Sequence, residues 1–247
     1  MFRRVFFALV GLLIASGSAL WAGDSAIFVN LGFSADGRFY VFAQHGVRSG
    51  TLRPWADIFI VDVERNAFVP GGRLSYTRPW RITTGQDGSD VMRDLFSGLV
   101  PEESESLALR RRHGVWSPEQ GLPLYVSMAR EGDPRTAYER DNANKPVEFR
   151  DFASGASFRA VLVGDDQDPG TNVRSSFFIN LSKTRGDQTK NFVVGSPSVS
   201  RPGILSYRIR QVLISPSGDS LIFVIEMKQY AGRGTHNIRF MVEALRF

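Results

Sequence analysis

The sequence predicts a mainly β protein built from antiparallel, blade-like (β-propeller-like) meanders with a short helical insertion. Three observations support this fold class. A pattern of strand, glycine turn and strand occurs near both ends of the chain, and a weaker copy lies between them. The candidate strands are rich in β-branched and aromatic residues. The chain has 19 Phe and no Cys, so packing must stabilise it without disulfides. A β-sandwich is the alternative, because similar meanders occur there.

Residues 1–22 predict a cleavable secretory signal peptide. Two arginines precede an apolar run over residues 5–14, and a segment rich in small residues follows it. An uncleaved anchor is the alternative, but about ten apolar residues are fewer than the roughly 20 that span a membrane. We therefore expect export to the periplasm or the cell exterior, with no transmembrane segment in the mature chain. Residues 23–247 are then expected to form a single domain.

The first repeat begins shortly after this segment. Residues 31–33 form a strand, residues 34–37 form a Ser-Ala-Asp-Gly turn, and residues 39–43 form a second strand. Asp and Gly provide the side-chain cap and the positive φ that tight turns need. A third strand is expected over residues 57–63.

The helical insertion is expected around residues 86–114. Ser89 is a candidate cap for a first helix, whose apolar residues follow helical spacing: Val91, Leu95, Phe96, Leu99 and Val100. Pro101 opens a second helix that ends in the run Arg110–Arg112. Cations in a last turn favour a solvated helix end, and a phosphate or acidic-partner site is the alternative for this run. Residues 122–126 then predict a strand that returns to the sheet.

The weaker repeat and the last repeat complete the predicted sheets. In the weaker copy, residues 147–150 and 158–163 flank the Gly155 turn, and residues 176–181 follow. In the last copy, a Ser-Pro-Ser-Gly turn joins two strands, and a third follows. The segments of this copy are residues 212–214, 215–218, 221–224 and 237–243.

Binding residues are expected in the long hairpins between the second and third strands of the first and last repeats. Basic and aromatic side chains on such loops can bind an anion or a sugar. The candidates are His45, Arg48, Trp55, Arg233 and His236. Ordinary polar loop composition is the alternative explanation for these residues.

Metal and cofactor chemistry is not expected. The three histidines, His45, His113 and His236, lack metal-ligand spacing. The acidic loop over residues 165–172 could hold calcium, but its spacing is not that of an EF-hand, and turns favour the same residues.

Known catalytic motifs are absent too. The chain has no Gly-x-Ser-x-Gly elbow, no cysteine nucleophile and no phosphate-binding glycine loop before a helix. The catalytic carboxylate pair of a glycosidase is defined by the separation of the two groups in space, so the sequence alone does not identify one. Loss of Arg3 and Arg4 with the signal reduces the 30 basic residues to 28 against 25 acidic ones, so nucleic acid is not an expected partner.

The segment Gly23–Arg38, with its Phe-Ser-x-Asp-Gly core, resembles the opening of a bacterial family of predicted secreted proteins, domain of unknown function 2259. The resemblance extends through residues 58–63 to the Gly71-Gly72 turn, and the closing hairpin at residues 215–218 also fits. The turn core is also similar to those of TolB-type and WD40-like propellers. This resemblance implies export and assigns no catalytic residues.

These observations favour a non-enzymatic module that binds an envelope or extracellular partner through its hairpin loops. A hydrolase acting on envelope or extracellular polymers is the alternative, and it requires a cleft with two carboxylates or a Ser/His pair. A purely structural envelope component, with a flat surface, is a third hypothesis.

Overall fold

The computed structural model describes seven stretches of the chain. They are residues 23–83, 85–100, 105–115, 118–128, 144–164, 173–232 and 235–247. Within them, the chain forms three antiparallel four-stranded sheets and two short helices. The predicted mainly β fold class is therefore confirmed. The proposed signal peptide, the start of the second helix and the acidic loop at residues 165–172 lie outside the described residues.

Sheet I is a meander that contains the first predicted repeat. Its strands, in spatial order, are β1 (Ile27–Phe33), β2 (Phe39–Val47), β3 (Pro54–Asp62) and β4 (Ala67–Thr77). Both faces of β2 are buried, because Tyr40 and Phe42 point towards another sheet while Val41 and Ala43 point towards the helices. This explains why β2 is apolar almost throughout instead of alternating.

Sheet II contains the last predicted repeat and the returning strand. Its strands are β5 (Leu122–Val126), β10 (Ile204–Ile214), β11 (Ser220–Gly232) and β12 (Thr235–Arg246), in the order β12-β11-β10-β5. The expected strand at residues 122–126 is confirmed. It pairs with β10, so its position is at the edge opposite β12.

Sheet III contains the weaker repeat and is again a meander. Its strands are β6 (Pro146–Asp151), β7 (Ala156–Gly164), β8 (Arg174–Arg185) and β9 (Gln188–Pro202). Side chains alternate strictly between buried and outward positions along β6 and the start of β7, as expected for a sheet with one solvated face.

Sheet II lies between the other two sheets. Along β11, Leu221, Phe223 and Ile225 belong to the apolar cluster shared with sheet III. Ile222 and Val224 belong to the cluster shared with sheet I. The outer face of sheet I is covered by the helices. The described layers are therefore helices, sheet I, sheet II and sheet III.

The glycine turns of the first and last repeats have the same geometry. In each turn, the serine carbonyl accepts a hydrogen bond from the glycine N–H three residues later, at 2.8 Å for Ser34 and 2.9 Å for Ser215. The serine hydroxyl also accepts the N–H five residues later, at 2.9 and 3.1 Å. Gly37 and Gly218 have φ values of +67° and +75°. The two repeats are thus equivalent in local structure as well as in sequence.

Helix α1 (Ser89–Ser97) is shorter than the apolar spacing predicted. Val91 and Leu95 are buried against sheet I as expected. The helix ends at Gly98, whose φ of +70° lets its N–H reach back to the last carbonyls. Leu99 is consequently outside the helix and exposed. Ser89 is the first helical residue, not the cap, and Gly88 occupies the capping position.

Helix α2 (Glu105–Arg112) ends in the arginine run, and Gly114 follows it with positive φ. The expectation of a fully solvated helix end is wrong for Arg110, which is buried. Its guanidinium lies 3.7 Å from the ring centroid of Phe96 and donates to the Phe96 carbonyl. Arg111 and Arg112 are exposed, as expected. None of the helices in the described stretches is long and apolar enough to cross a membrane.

Candidate functional site

The structure places the predicted binding residues in strands more often than in loops. His45 is buried in β2, with Nδ1 at 3.1 Å from the Asp87 carbonyl oxygen, and Trp55 is buried in β3. Neither side chain is on an exposed loop, because β2 and β3 extend further than the sequence indicated. His236 is half-buried in β12, and Arg233 lies outside the described residues.

Asp24 joins two of the expected regions, and the sequence did not single it out. Its carboxylate lies 3.5 Å from Arg48 Nη1 and 3.3 Å from Arg239 Nη2, and it accepts the Ser49 N–H at 2.6 Å. The two guanidinium groups lie 4.9 and 4.5 Å from the ring of Trp55. Burial lowers the pKa of Arg239, against the charge of Asp24. We call Asp24, Arg48, Trp55 and Arg239 the Asp24 cluster.

The segment around Asp24 links the parts of β2 and β12 that contain the two histidines. Ile238 donates its N–H to the Asp24 carbonyl at 2.8 Å and accepts the Ala26 N–H at 3.1 Å. His236 lies two residues before Ile238 in β12. Ile27, just after Ala26, pairs with His45 in sheet I. The N-terminal segment therefore connects β2 to β12.

Next to the Asp24 cluster is an exposed surface formed by two loops. We call it the loop surface, and its side chains are Arg48, Leu52, Arg53, Trp80 and Arg81. Trp80 is 62% exposed and Leu52 is 47% exposed. Two backbone hydrogen bonds join these loops: the N–H of Arg78 donates to the Pro54 carbonyl (3.0 Å), and that of Ile82 to the Leu52 carbonyl (2.9 Å).

Trp80 is exposed but supported from one side. The Arg78 guanidinium lies 5.6 Å from the Trp80 ring centroid. The same guanidinium pairs with Asp90 and with Asp94 of helix α1, the latter at 2.6 Å. Burial opposes the charge, but the two carboxylates raise the pKa of Arg78. The indole thus rests on a cation that two acids hold in place.

A cleft of about 450 Å³ opens where the three sheets meet. We call it the three-sheet cleft. Sheet I contributes the start of β4, sheet III the middle of β9, and sheet II part of β12. Its apolar walls include Val61, Phe68, Val199, Met241 and Val242.

Glu243 is the buried acid of the three-sheet cleft. It is 5% exposed, lies 3.2 Å from Arg201 Nη2, and accepts a hydrogen bond from the Asn66 amide. Burial raises the pKa of Glu243, against the effects of Asn66 and Arg201. Gly195 lies against the carboxylate with a φ of +82°, and a Cβ there would be 3.2 Å from Glu243 Cδ. The acid is therefore held from sheets I and III.

The edge of β12 beside this cleft is capped by side-chain amides. The Phe240 N–H donates to Gln44 Oε1 (2.9 Å), and the Ala244 N–H donates to Asn66 Oδ1 (2.6 Å). Outward N–H groups recur at every second residue of an antiparallel strand. The Val242 N–H consequently points away from β11 as well. This capping protects an edge that could otherwise pair with another chain.

In the part of the chain that the structure describes, no group of three or more His, Asp and Glu side chains is placed to hold a metal ion. Asp24 and Glu243 escaped sequence reasoning because one key partner of each is distant in sequence. Asp24 and Arg239 are 215 residues apart, and Asn66 and Glu243 are 177 apart.

A family model described as a predicted secreted protein (DUF2259) matches residues 41–246. The matched region begins after the opening segment that suggested the resemblance, and it includes the closing hairpin. No curated protein matches the chain.

Proposed function

The chain belongs to the DUF2259 family of predicted secreted proteins, and on this premise we propose that it is a non-enzymatic binding module of the periplasm or cell exterior. Its partner docks on the loop surface. The observation that carries the proposal is the exposed Trp80, which rests on the Arg78 side chain next to Leu52.

Preorganisation makes Trp80 a strong candidate anchor. Tryptophan is enriched among the few interface residues that dominate binding energy. A side chain that is already positioned loses less entropy on binding. Arg78 is fixed by Asp90 and Asp94, so the indole it supports is available without rearrangement of the loop.

The charge of the loop surface favours an acidic partner. Arg53 and Arg81 are exposed, and no carboxylate in the described part of the chain lies within 4.0 Å of their side-chain nitrogens. The neighbouring acid Asp24 is already paired with two arginines. Arginine pairs well with carboxylates and phosphates. An acidic protein surface at an exported site therefore fits this surface best.

Capture from an envelope fraction tests the proposal. Full-length protein, purified from the exported fraction and immobilised, should retain a partner that Trp80→Ala loses. Removal of an interface tryptophan typically costs about 2 kcal/mol or more, so we expect retention to fall at least about tenfold. Raising the salt concentration should weaken the capture, since exposed charges are screened.

The matched control is Phe152→Ala. Phe152 is an 85% exposed aromatic with Arg150 5.6 Å from its ring centroid, on the β6–β7 turn. This substitution should leave capture unchanged. Capture that survives Trp80→Ala, or that Phe152→Ala reduces equally, would contradict docking on the loop surface.

The three-sheet cleft does not favour the alternative function, hydrolysis of a polymer. Glycosidases use two carboxyl groups about 5 to 9.5 Å apart. Among the described residues that line the cleft, Glu243 is the carboxylate, and Arg201 and Asn66 engage both of its oxygens. An acid held in this way is suited to joining the sheets, which favours binding over hydrolysis.

A further inference from the structure

A second pocket, of about 290 Å³, lies at the tip of the β8–β9 hairpin, where the hairpin meets the last residue of the chain. We call it the basic pocket. It is lined by Lys183, Arg185, Gln188, Lys190, Phe192 and Phe247. It is separate from the loop surface and from the three-sheet cleft, with which it shares no lining residue.

The basic pocket brings three cations together, and none of them forms an ion pair with a carboxylate among the described residues. Lys183 and Lys190 are direct partners in the β8–β9 ladder, and Arg185 is two residues further on. Like charges directly opposite one another destabilise a sheet. Within the described stretches, no carboxylate lies within 4.0 Å of the nitrogens of these three side chains. Asp151 acts on Lys183 only from a greater distance.

The environment of Lys183 adds to this imbalance. Burial lowers its pKa, and the charges of Arg185 and Lys190 lower it further. A bound anion would offset the repulsion among the three cations. It would also compensate Lys183 for the water that burial removes. The arrangement therefore favours an anion as a ligand.

The other wall of the basic pocket is aromatic. Lys183 Nζ lies 3.3 Å from the ring centroid of Phe247 and 5.8 Å from that of Phe158. Phe192 and Phe247 have ring centroids 5.8 Å apart. Cations thus border an apolar wall within one small cavity, which fits a ligand with a charged end and an apolar part.

We propose that the basic pocket binds an amphipathic anion: a phosphate or carboxylate held by Lys183 and Lys190, with an apolar chain or ring against Phe192 and Phe247. A lipid headgroup with the start of its chain and a small free metabolite share this chemistry. Inorganic phosphate has the charge without the apolar part, and an alkyl alcohol has the apolar part without the charge.

Isothermal titration of the full-length protein tests the proposal with hexyl phosphate, inorganic phosphate and hexanol as probes. Hexyl phosphate should bind at least tenfold more tightly than either of the others. Lys190→Gln changes an exposed side chain, so the fold should persist, and it should weaken hexyl phosphate binding at least about fivefold. Lys183→Ala should weaken it further.

Arg159→Gln is the control. Arg159 is exposed on the outer face of the same sheet, 3.8 Å from Glu148, and its substitution makes the same change in net charge as Lys190→Gln. Binding that falls equally in Arg159→Gln, or that is no tighter for hexyl phosphate than for inorganic phosphate, would overturn the proposal.

Flotation with vesicles then identifies the source of the anion. Wild-type protein that floats with phosphatidylglycerol vesicles but not with phosphatidylcholine vesicles, and loses this in Lys190→Gln, binds a lipid headgroup. Hexyl phosphate binding without flotation assigns a free solute. Either result supports the site, provided the titration shows the expected preference.

Discussion

Gly37 and Gly218 occupy the same position in two related turns, and each has a positive φ. A Cβ at Gly218 would meet no other atom within 4 Å, and one at Gly37 would make only ordinary contact. The cost of alanine at either position is therefore conformational, and we expect each substitution to lower the free energy of unfolding by about 1 kcal/mol.

Gly50→Ala is the matched comparison, because Gly50 has open space around it and no positive φ. There, alanine should be neutral or stabilising, since it restricts the unfolded chain. Urea denaturation measures all three variants. Equal effects at the three positions would show that the turns of the two repeats do not depend on their glycines.

Glu243 gives a pH-dependent prediction. Burial raises its pKa above the ordinary value of 4.5. A carboxyl with a raised pKa stabilises the fold fully below its unfolded pKa, and this contribution is lost as pH rises through the folded pKa. Relative to Glu243→Gln, the wild type should therefore lose stability as pH rises from about 4 to 8.

Arg201 stays charged over this range, and its attraction for the ionised carboxylate opposes the effect of burial within the net raised pKa of Glu243. Denaturation of both proteins at a series of pH values isolates the slope. A difference in stability that does not change with pH, or that changes in the opposite direction, would mean that the pKa of Glu243 is not raised.

At the level of single residues, the sequence predicted one of the observed side-chain contacts and missed others. Arg48 and Trp55 do lie together, as their shared hairpin suggested. Trp80 gave no signal, because its exposure depends on how Arg78 and helix α1 meet. Arg239 lies 215 residues from Asp24, and Asn66 lies 177 residues from Glu243, and no local pattern contains that information.

Among the elements, β11 is the central one, since its first half is buried on both faces between sheets I and III. Ile222 points towards sheet I and Ile225 towards sheet III, and both are fully buried. Conservative Ile→Val substitutions at each position should each cost about 0.5–1.5 kcal/mol.

Ile27→Val in β1 is the comparison, because that side chain is 47% exposed, and it should cost much less. Chemical denaturation with a constant m-value provides the measurement. If either β11 substitution were as mild as Ile27→Val, one face of the strand would not be packed as described.

Element boundaries show what periodicity can and cannot predict. The three repeats became sheets I, II and III because alternation and turn residues are local signals. The strand that pairs with β5 was not predictable in the same way. β5 pairs with β10, which is about 80 residues away in sequence, and this pairing depends on tertiary packing. Similarly, Leu99 continues the apolar spacing of helix α1, but Gly98 ends the helix before it.

In the whole molecule, the described layers depend on contacts between the two ends of the chain. Asp24 and Ala26 bond to β12, which is the last strand. The opening segment thus closes sheet I onto sheet II, and it follows directly after the proposed signal peptide. The family description supports export.

We propose that the loop surface is the place where the protein meets its partner. Site-specific photocrosslinking in intact cells tests that claim most directly, with the crosslinker at position 52 of the full chain. Val193, which is 62% exposed on the edge strand of sheet III, is the control position. We expect a discrete adduct with an envelope component from position 52, absent from position 193 and lost in Trp80→Ala. No adduct from position 52, or the same adduct from both positions, would contradict it.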